Sequence, residues 1–552
     1  MTNRLPAWQL LLVFALSLLL FCGLIAWLQN VHIITSNGMY KSIQAEPWIA
    51  DPGRARLDPS NYLYFPLYGV LAAALDALGI LRGMPWKQFA YLNALWASLA
   101  NVFVYAFVHR VTGSVRAAAL TACFHAGTGF VLLLAVISED IMPGYALVLG
   151  AMLLAGLWFD RPTHTRVALV GAIFTLGWLI EWRLLFPTLP ALVLAVAVAP
   201  IPFKRRAALI ASLVVVILAV SGIVQLSWEG HNGAVGLHDI LWTGKGVATG
   251  WAGLSWDKAW MMLSGIGNYF LIVGGWVDPL SARRAAVPLI LSVLLQFSIF
   301  VACVAVLWSR RGDARLRAIA VVFVGTLGAG QVLNFYSQPQ DPQMQINVMP
   351  WLTVAWGLLL GALLAGPRPV AVALGLAVLS LATLAWNVRQ LARHRGGDEA
   401  ALSAIAALEK RFPPQSTVFV YWGFEPISMW QYALWSRTWD WDGTAPVGPA
   451  PQADPKFKWI AIDAGAIRHP DWTPEQNAEA LRRDIDHALD KGYRVVASDV
   501  WTWTVDELTG QLGGLSAANR APAIHALLHD RYTAREVFRD PTAGTWYEIT
   551  RR

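Results

Sequence analysis

Two adjacent acids, Glu139 and Asp140, stand in the stretch "LLLAVISEDIMPGYALVLG" between apolar runs long enough to lie in a membrane. Carboxylates at membrane depth are expensive and tend to mark ion or substrate sites. The pair could hold a divalent cation, Mg or Mn, or bind a substrate hydroxyl. Asp140 could equally cap the helix that begins at "IMPGY", with Pro143 in its first turn. Upstream, residues 39 to 75 offer Glu46, Asp51 and Asp58 as acids and Lys41, Arg54 and Arg56 as bases, interleaved with Trp48, Tyr62, Tyr64 and Tyr68. Acids can serve as general bases, Arg can neutralise phosphate, and aromatic faces can carry sugars or lipid. An interfacial loop with an aromatic belt has the same composition.

Other groups carry weaker signals. Glu181, Trp182 and Arg183 end an apolar run, where Arg183 could meet a phosphate or simply pair with Glu181. Lys245, Arg283 and Arg284 could bind a phosphate or anionic lipid, and Gln340, in "SQPQDPQMQIN", offers an amide suited to hydroxyls or to a polar turn. His231, His238 and Asp239 lack metal-ligand spacing. Cys22, Cys123 and Cys303 each lie inside an apolar run, so neither a disulfide framework nor a zinc site can be built from them.

The elements that must position these groups are membrane segments. The 552 residues are 56% hydrophobic and 14% charged, with a mean hydropathy of +0.48, far from ordinary soluble usage. Apolar segments near the ~20 residues needed to cross a bilayer fall at roughly 7 to 28, 88 to 108, 117 to 137, 141 to 158, 167 to 182, 184 to 200, 207 to 226, 286 to 308, 318 to 334, 348 to 365 and 369 to 386. This predicts a polytopic α-helical protein with about 11 transmembrane helices. The first segment lacks a small-residue cleavage site and reads as a retained anchor. Residues 62 to 81, interrupted by Pro66 and Asp76, and the Gly-rich 260 to 277 read as interfacial or re-entrant. With that parity the short basic loops, among them "FKRR" and "SRRGDARLR", fall in the cytoplasm, as the positive-inside rule expects. The loops 29 to 87 and 227 to 285, the "SED" turn and the chain beyond about 390 then lie outside. The net charge of +7 is spread through loops beside apolar segments, which speaks for topology and membrane lipids and against nucleic acid. High Ala, Leu and Arg usage without organelle-targeting signals suggests a bacterial inner membrane.

From about residue 397 the composition changes. "EAALSAIAALEKRF" has helical spacing, "STVFVYW", "KWIAIDA", "YRVVASDV" and "GTWYEIT" read as strands, and "PEQNAEALRRDIDHALDKG" as a helix. The expectation is a transmembrane domain over 1 to 396 and an external soluble α/β domain over 397 to 552. The tail carries no GxGxxG, P-loop or HExxH motif.

The order of parts resembles the GT-C superfamily of membrane glycosyltransferases, which use polyprenyl-phosphate-linked sugars. The likeness rests on one span, a long external loop, the aromatic-Pro segment "YLYFPLYGVLAAAL", then "AYLNALWASLANVFVYAFVHRVTGS", an external acid after the third span ("SED"), and a tail opening with helix then strand. It covers the first 200 residues by sequence and the remainder by architecture. The resemblance implies transfer of a sugar from a polyprenyl-phosphate donor to a lipid, glycan or protein acceptor. It also implies a catalytic acid soon after the first span, where this chain has Ser36 and Asn37 in "TSNGMYKSIQAE". Neither is a carboxylate, so Asp58, Asp51 or Glu46 takes that role or the activity is lost. The other readings are a transporter or flippase for a lipid-linked substrate, and a non-catalytic assembly protein of GT-C descent.

Overall fold

The computed structural model describes residues 5–31, 42, 45, 48, 49, 62–82, 84–159, 161–181, 185–232, 257–272, 286–309, 314–336, 345, 349–366, 369–413, 416–421, 437, 438, 458–462, 472–511, 520–541 and 543–552. The chain divides into two compact units, one built from residues 1–28, 47–245 and 252–393, the other from 29–46, 246–251 and 394–552.

The first unit is helical. Its described helices are α1 Ala7–Leu28, α2 Tyr64–Ala77, α3 Pro85–Thr112, α4 Val115–Gly127, α5 Gly129–Val136, α6 Ile141–Trp158, α7 His164–Ile180 and α8 Leu185–Ala197. They continue with α9 Phe203–Asn232, α10 Asp257–Phe270, α11 Ala286–Ser309, α12 Ala314–Tyr336, α13 Met349–Leu364 and α14 Pro369–Ala392. Five described helices are long and apolar enough to cross a membrane, or six if α4 and α5 count as one span. Burial separates two kinds. In α1, Leu11, Leu12, Leu16 and Leu19 are all exposed, a side-chain stripe that suits lipid tails and not water. By contrast α3 and α6 are mostly buried within the protein and form its core.

Several helices differ from the sequence-based spans. The segment expected at 117 to 137 is broken at Thr128 into α4 and α5, bent by 65°. Gly127 and Gly129 flank the break, and the chain packs so closely there that a Cβ on Gly129 would lie 2.9 Å from the backbone nitrogen of Ile272. With 14 residues, α2 reaches about 21 Å at 1.5 Å per residue, short of the ~30 Å hydrocarbon core. Pro66 lies in its first turn and does not interrupt it. Asp76, near its end, accepts a 2.7 Å hydrogen bond from the amide of Gln88, which also donates to the carbonyls of Ile80 and Leu81 and so pins the turn into α3.

The second unit holds α15 Gly397–Arg411, β1 Thr417–Tyr421, β2 Arg437–Thr438, β3 Lys458–Ala461, α16 Pro474–Asp490, β4 Arg494–Ala497, α17 Val505–Gln511, α18 Ala521–Arg531, β5 Tyr532–Asp540 and β6 Gly544–Arg551. The sheet order is β2-β3-β1-β4-β6-β5. The first four strands are parallel, and β6 and β5 join antiparallel. Val418, Val420, Val495 and Ala497 pack with Leu481 and Ile485 of α16 and Ile524 and Leu528 of α18 in one core. A capping box between Thr473 and Gln476 starts α16.

Candidate functional site

The ends of several helices of the first unit converge on the short turn between α5 and α6. Helix α7 runs back along α6 so closely that a Cβ on Gly177 would lie 3.0 Å from the carbonyl oxygen of Gly144 and 2.7 Å from Val148. That contact sets the C-terminal end of α7, and with it the buried Glu181, at the same end as the start of α6. Helix α2 is tied to the same place, because the amide of Leu63 donates to the carbonyl of Leu179 at 2.9 Å.

Within this convergence Ser138, Glu139 and Asp140 are all buried, Glu139 at 0% and Asp140 at 1% exposure. Asp140 occupies the N-cap position of α6, yet its side chain makes no capping hydrogen bond. The side chain of this acid therefore does not cap the helix. Two adjacent carboxylates in a buried turn repel each other, and burial disfavours their charged forms.

The aromatic residues of α2 complete the surroundings. Tyr64 and Tyr68 are fully buried and stack with ring centroids 4.4 Å apart, while Phe89 of α3 meets Tyr68 edge-on at 4.9 Å. Both hydroxyls lie within electrostatic reach of Asp140, and that of Tyr64 also of Glu139. Tyr64 was expected to offer a ring face to a sugar or lipid; its ring is enclosed by Tyr68, Phe65 and Phe89 instead. Its hydroxyl has no hydrogen-bond partner among the described residues.

Asn93 of α3 is the residue that sequence reasoning missed. Its amide nitrogen donates to the carbonyls of Ile137 at 2.7 Å and Glu139 at 2.6 Å, and its oxygen accepts from the hydroxyl of Tyr68. The signal in the sequence is an Asn within an apolar helix, a residue whose four hydrogen-bonding sites demand partners when buried. A second polar chain runs through the helical core. The amide of Asn101 donates to Ser17 of α1 at 3.0 Å, its oxygen meets Nδ1 of His125, and Nε2 of His125 lies 2.7 Å from the hydroxyl of Tyr145.

The remaining candidates lie outside the described residues: Asp58, Asp51, Glu46, Arg54, Arg56, Arg183, Lys245 and Gln340, together with Ser36 and Asn37. No group of three or more His, Cys, Asp or Glu side chains that could hold a metal occurs among the described residues. Glu139 and Asp140 would supply two oxygen donors, which is the usual protein share where Mg is also held by substrate phosphate and water.

No protein-family model matches the chain, and no curated protein does. Among solved structures, the crystal structure of ArnT from Cupriavidus metallidurans bound to undecaprenyl phosphate is similar over 98% of this chain and 97% of its own, with a TM-score of 0.54 at 16% identity. ArnT from the same organism in the apo state is similar over 98% and 96%, with a TM-score of 0.53 at 15% identity. ArnT is a GT-C glycosyltransferase. The chain has the GT-C fold. The likeness spans both the helical unit and the unit that holds the mixed sheet, and it agrees with the resemblance carried by the first 200 residues.

Proposed function

We propose that the chain is a membrane glycosyltransferase that moves a sugar from a polyprenyl-phosphate donor to a hydroxyl of a lipid, glycan or protein acceptor. The observation that carries this reading is the buried Glu139 and Asp140 pair, in a turn held by Asn93, on a GT-C fold. The ArnT structure holding undecaprenyl phosphate supports a lipid-phosphate donor.

In the mechanism a carboxylate of the first loop, Asp58 ahead of Asp51 and Glu46, takes the proton of the acceptor hydroxyl. The freed oxygen attacks the anomeric carbon, and the bond from that carbon to the phosphate oxygen breaks with its electron pair on the phosphate. Arg54, Arg56, Arg183 and Lys245 stabilise the charge left there, which is where preorganised donors contribute most. Gln340 and the Tyr64 hydroxyl bind the substrate, and Glu139 and Asp140 accept hydrogen bonds from sugar hydroxyls. Glu139 and Asp140 are also the residues that would hold Mg or Mn, which would supply positive charge beside the phosphate.

The same reading sets the protein in a bacterial inner membrane, with the second unit and the site on the outer face, where a flipped lipid donor is at hand and nucleotide sugars are not. A flippase would share the bent pair α4 and α5, yet transporters carry broken helices at matching positions in two halves, and one such pair occurs among the described residues. The test is transfer of labelled sugar from a panel of polyprenyl-phosphate sugars by purified protein. Product formation supports the enzyme reading. Lipid binding without product from any donor turns it toward transport or assembly.

A further inference from the structure

The hydrogen bonds of Asn93 assign its orientation without ambiguity. Carbonyl oxygens can only accept, so the face of the amide toward Ile137 and Glu139 must be the NH2 group. The amide oxygen then faces Tyr68, whose hydroxyl must be the donor. Both N–H groups and the oxygen of this fully buried side chain are thereby used, and every partner belongs to the turn or to α2.

We propose that Asn93 is the positioning residue of the site: its amide ties down the backbone on both sides of Ser138, and Tyr68 braces it from α2. The inference rests on the glycosyltransferase reading for what the turn is positioned to do, while the clamp itself stands on geometry. The turn joins α5 to α6 and carries both carboxylates, so two fixed carbonyls hold the backbone from which Glu139 and Asp140 project. Helix α2 follows the loop that holds Asp51 and Asp58 in sequence. The bond from Tyr68 through Asn93 links α2 to the acidic turn. A residue acting this way touches no substrate and alters the rate through the acids it holds.

The Asn93→Asp variant is nearly isosteric and keeps an oxygen for Tyr68, but it replaces two donors with a carboxyl that has one when protonated and none when ionised. We expect kcat to fall about 100-fold, the scale of a roughly 1 Å misplacement, with KM for the lipid donor changed less than about threefold. As pH falls through its titration the new carboxyl gains one proton and one donor, so the variant recovers activity relative to wild type. Hydrogen exchange of the peptide covering 137 to 141 should quicken about 10-fold or more in the variant, reporting local opening. Tyr68→Phe keeps the ring stack and removes only the brace; it should lower kcat less, and the double variant should show less than the product of the two losses.

Unchanged exchange in folded Asn93→Asp protein overturns the clamp. Faster exchange with wild-type kcat and an unshifted pH profile overturns the positioning role and leaves a structural bond. If wild-type protein transfers no sugar from any donor, the functional reading falls and the positioning role with it, while the exchange result still decides the clamp. If Asn93→Asp cannot be purified folded, Tyr68→Phe decides: kcat equal to wild type overturns the proposal.

Discussion

Asn387 of α14 holds the bend that aims α5 at the acidic turn, and removing it gives a quantitative test of the helical core. Its amide nitrogen donates to the carbonyls of Gly127 at 2.8 Å and Phe270 at 2.9 Å, and its oxygen accepts from the amide of Ile272 at 2.8 Å. All three partners are backbone groups in a buried region, where the ends of α4 and α10 lack helical partners. Asn387→Leu keeps the volume and leaves three polar groups without this partner. Each such group costs about 1–3 kcal/mol, so the lower bound is about 3 kcal/mol for the site. For a unit of about 370 residues, an unfolding entropy of ~2.1 cal/mol/K per residue converts this to a fall of about 4 °C in the midpoint. Cys303 of α11 is buried, Cys22 is half-buried and Cys123 exposed. In a Cys22→Ser, Cys123→Ser background, labelling of Cys303 by a thiol-reactive dye during a thermal ramp therefore reports unfolding. Trp386→Phe, which loses one bond to the carbonyl of Ile272, should shift the midpoint by about a third as much. An Asn387→Leu midpoint within 1 °C of its background, by the same conversion about less than a quarter of the predicted loss, would refute the assignment of Asn387 as the stitch of the bend.

Two further outcomes test other parts of the structure. His125→Leu strands the oxygen of Asn101 and the hydroxyl of Tyr145 and should destabilise by about 2–4 kcal/mol, whereas Ser17→Ala should cost about 1 kcal/mol or less; the same Cys303 labelling separates them. In the sheet, Arg494 grips Glu548 through two hydrogen bonds of 3.0 Å. Burial pushes the Glu548 carboxyl up, and the bonds from Arg494 and Arg535 outweigh it and hold the carboxyl below its ordinary 4.5. A carboxyl lowered in the folded state contributes stability that is fully present above 4.5 and is lost as pH falls through the lowered value. Glu548→Gln should thus cost about 1 kcal/mol at neutral pH and progressively less in acid, read as the gap between wild-type and variant melting profiles of the second unit's circular dichroism. A gap independent of pH would contradict the assignment.

Much of this fold was legible as apolar runs. The span read at 141 to 158 coincides with α6, and those read at 7 to 28, 88 to 108 and 369 to 386 each fall within a single helix, α1, α3 and α14. Their apolar composition is a local signal, and so are the Pro85 that opens α3 and the left-handed Gly113 that ends it. The break in 117 to 137 was hidden because hydropathy counts side chains, and the bend at Thr128 depends on how closely Gly129 approaches Ile272. Strands β1, β3, β4 and β6 carry apolar alternation or buried runs and were found, while β5, "YTAREVFRD", is an edge strand with a single buried residue and carries no such signal. The acidic pair of the site was visible from charge at membrane depth. Asn93, His125 and Asn387 were not, since a lone polar residue in an apolar helix names no partner until the helices are packed.

The most direct test of the central claim is sugar transfer by wild type, Glu139→Gln and Asp140→Asn on the same polyprenyl-phosphate donors, with folded fraction and undecaprenyl phosphate binding measured on each protein. The account predicts transfer by wild type and a loss of about 100-fold or more in at least one variant that still folds and binds lipid. Wild-type rates in both variants, or lipid binding without transfer by the wild-type protein, would contradict it.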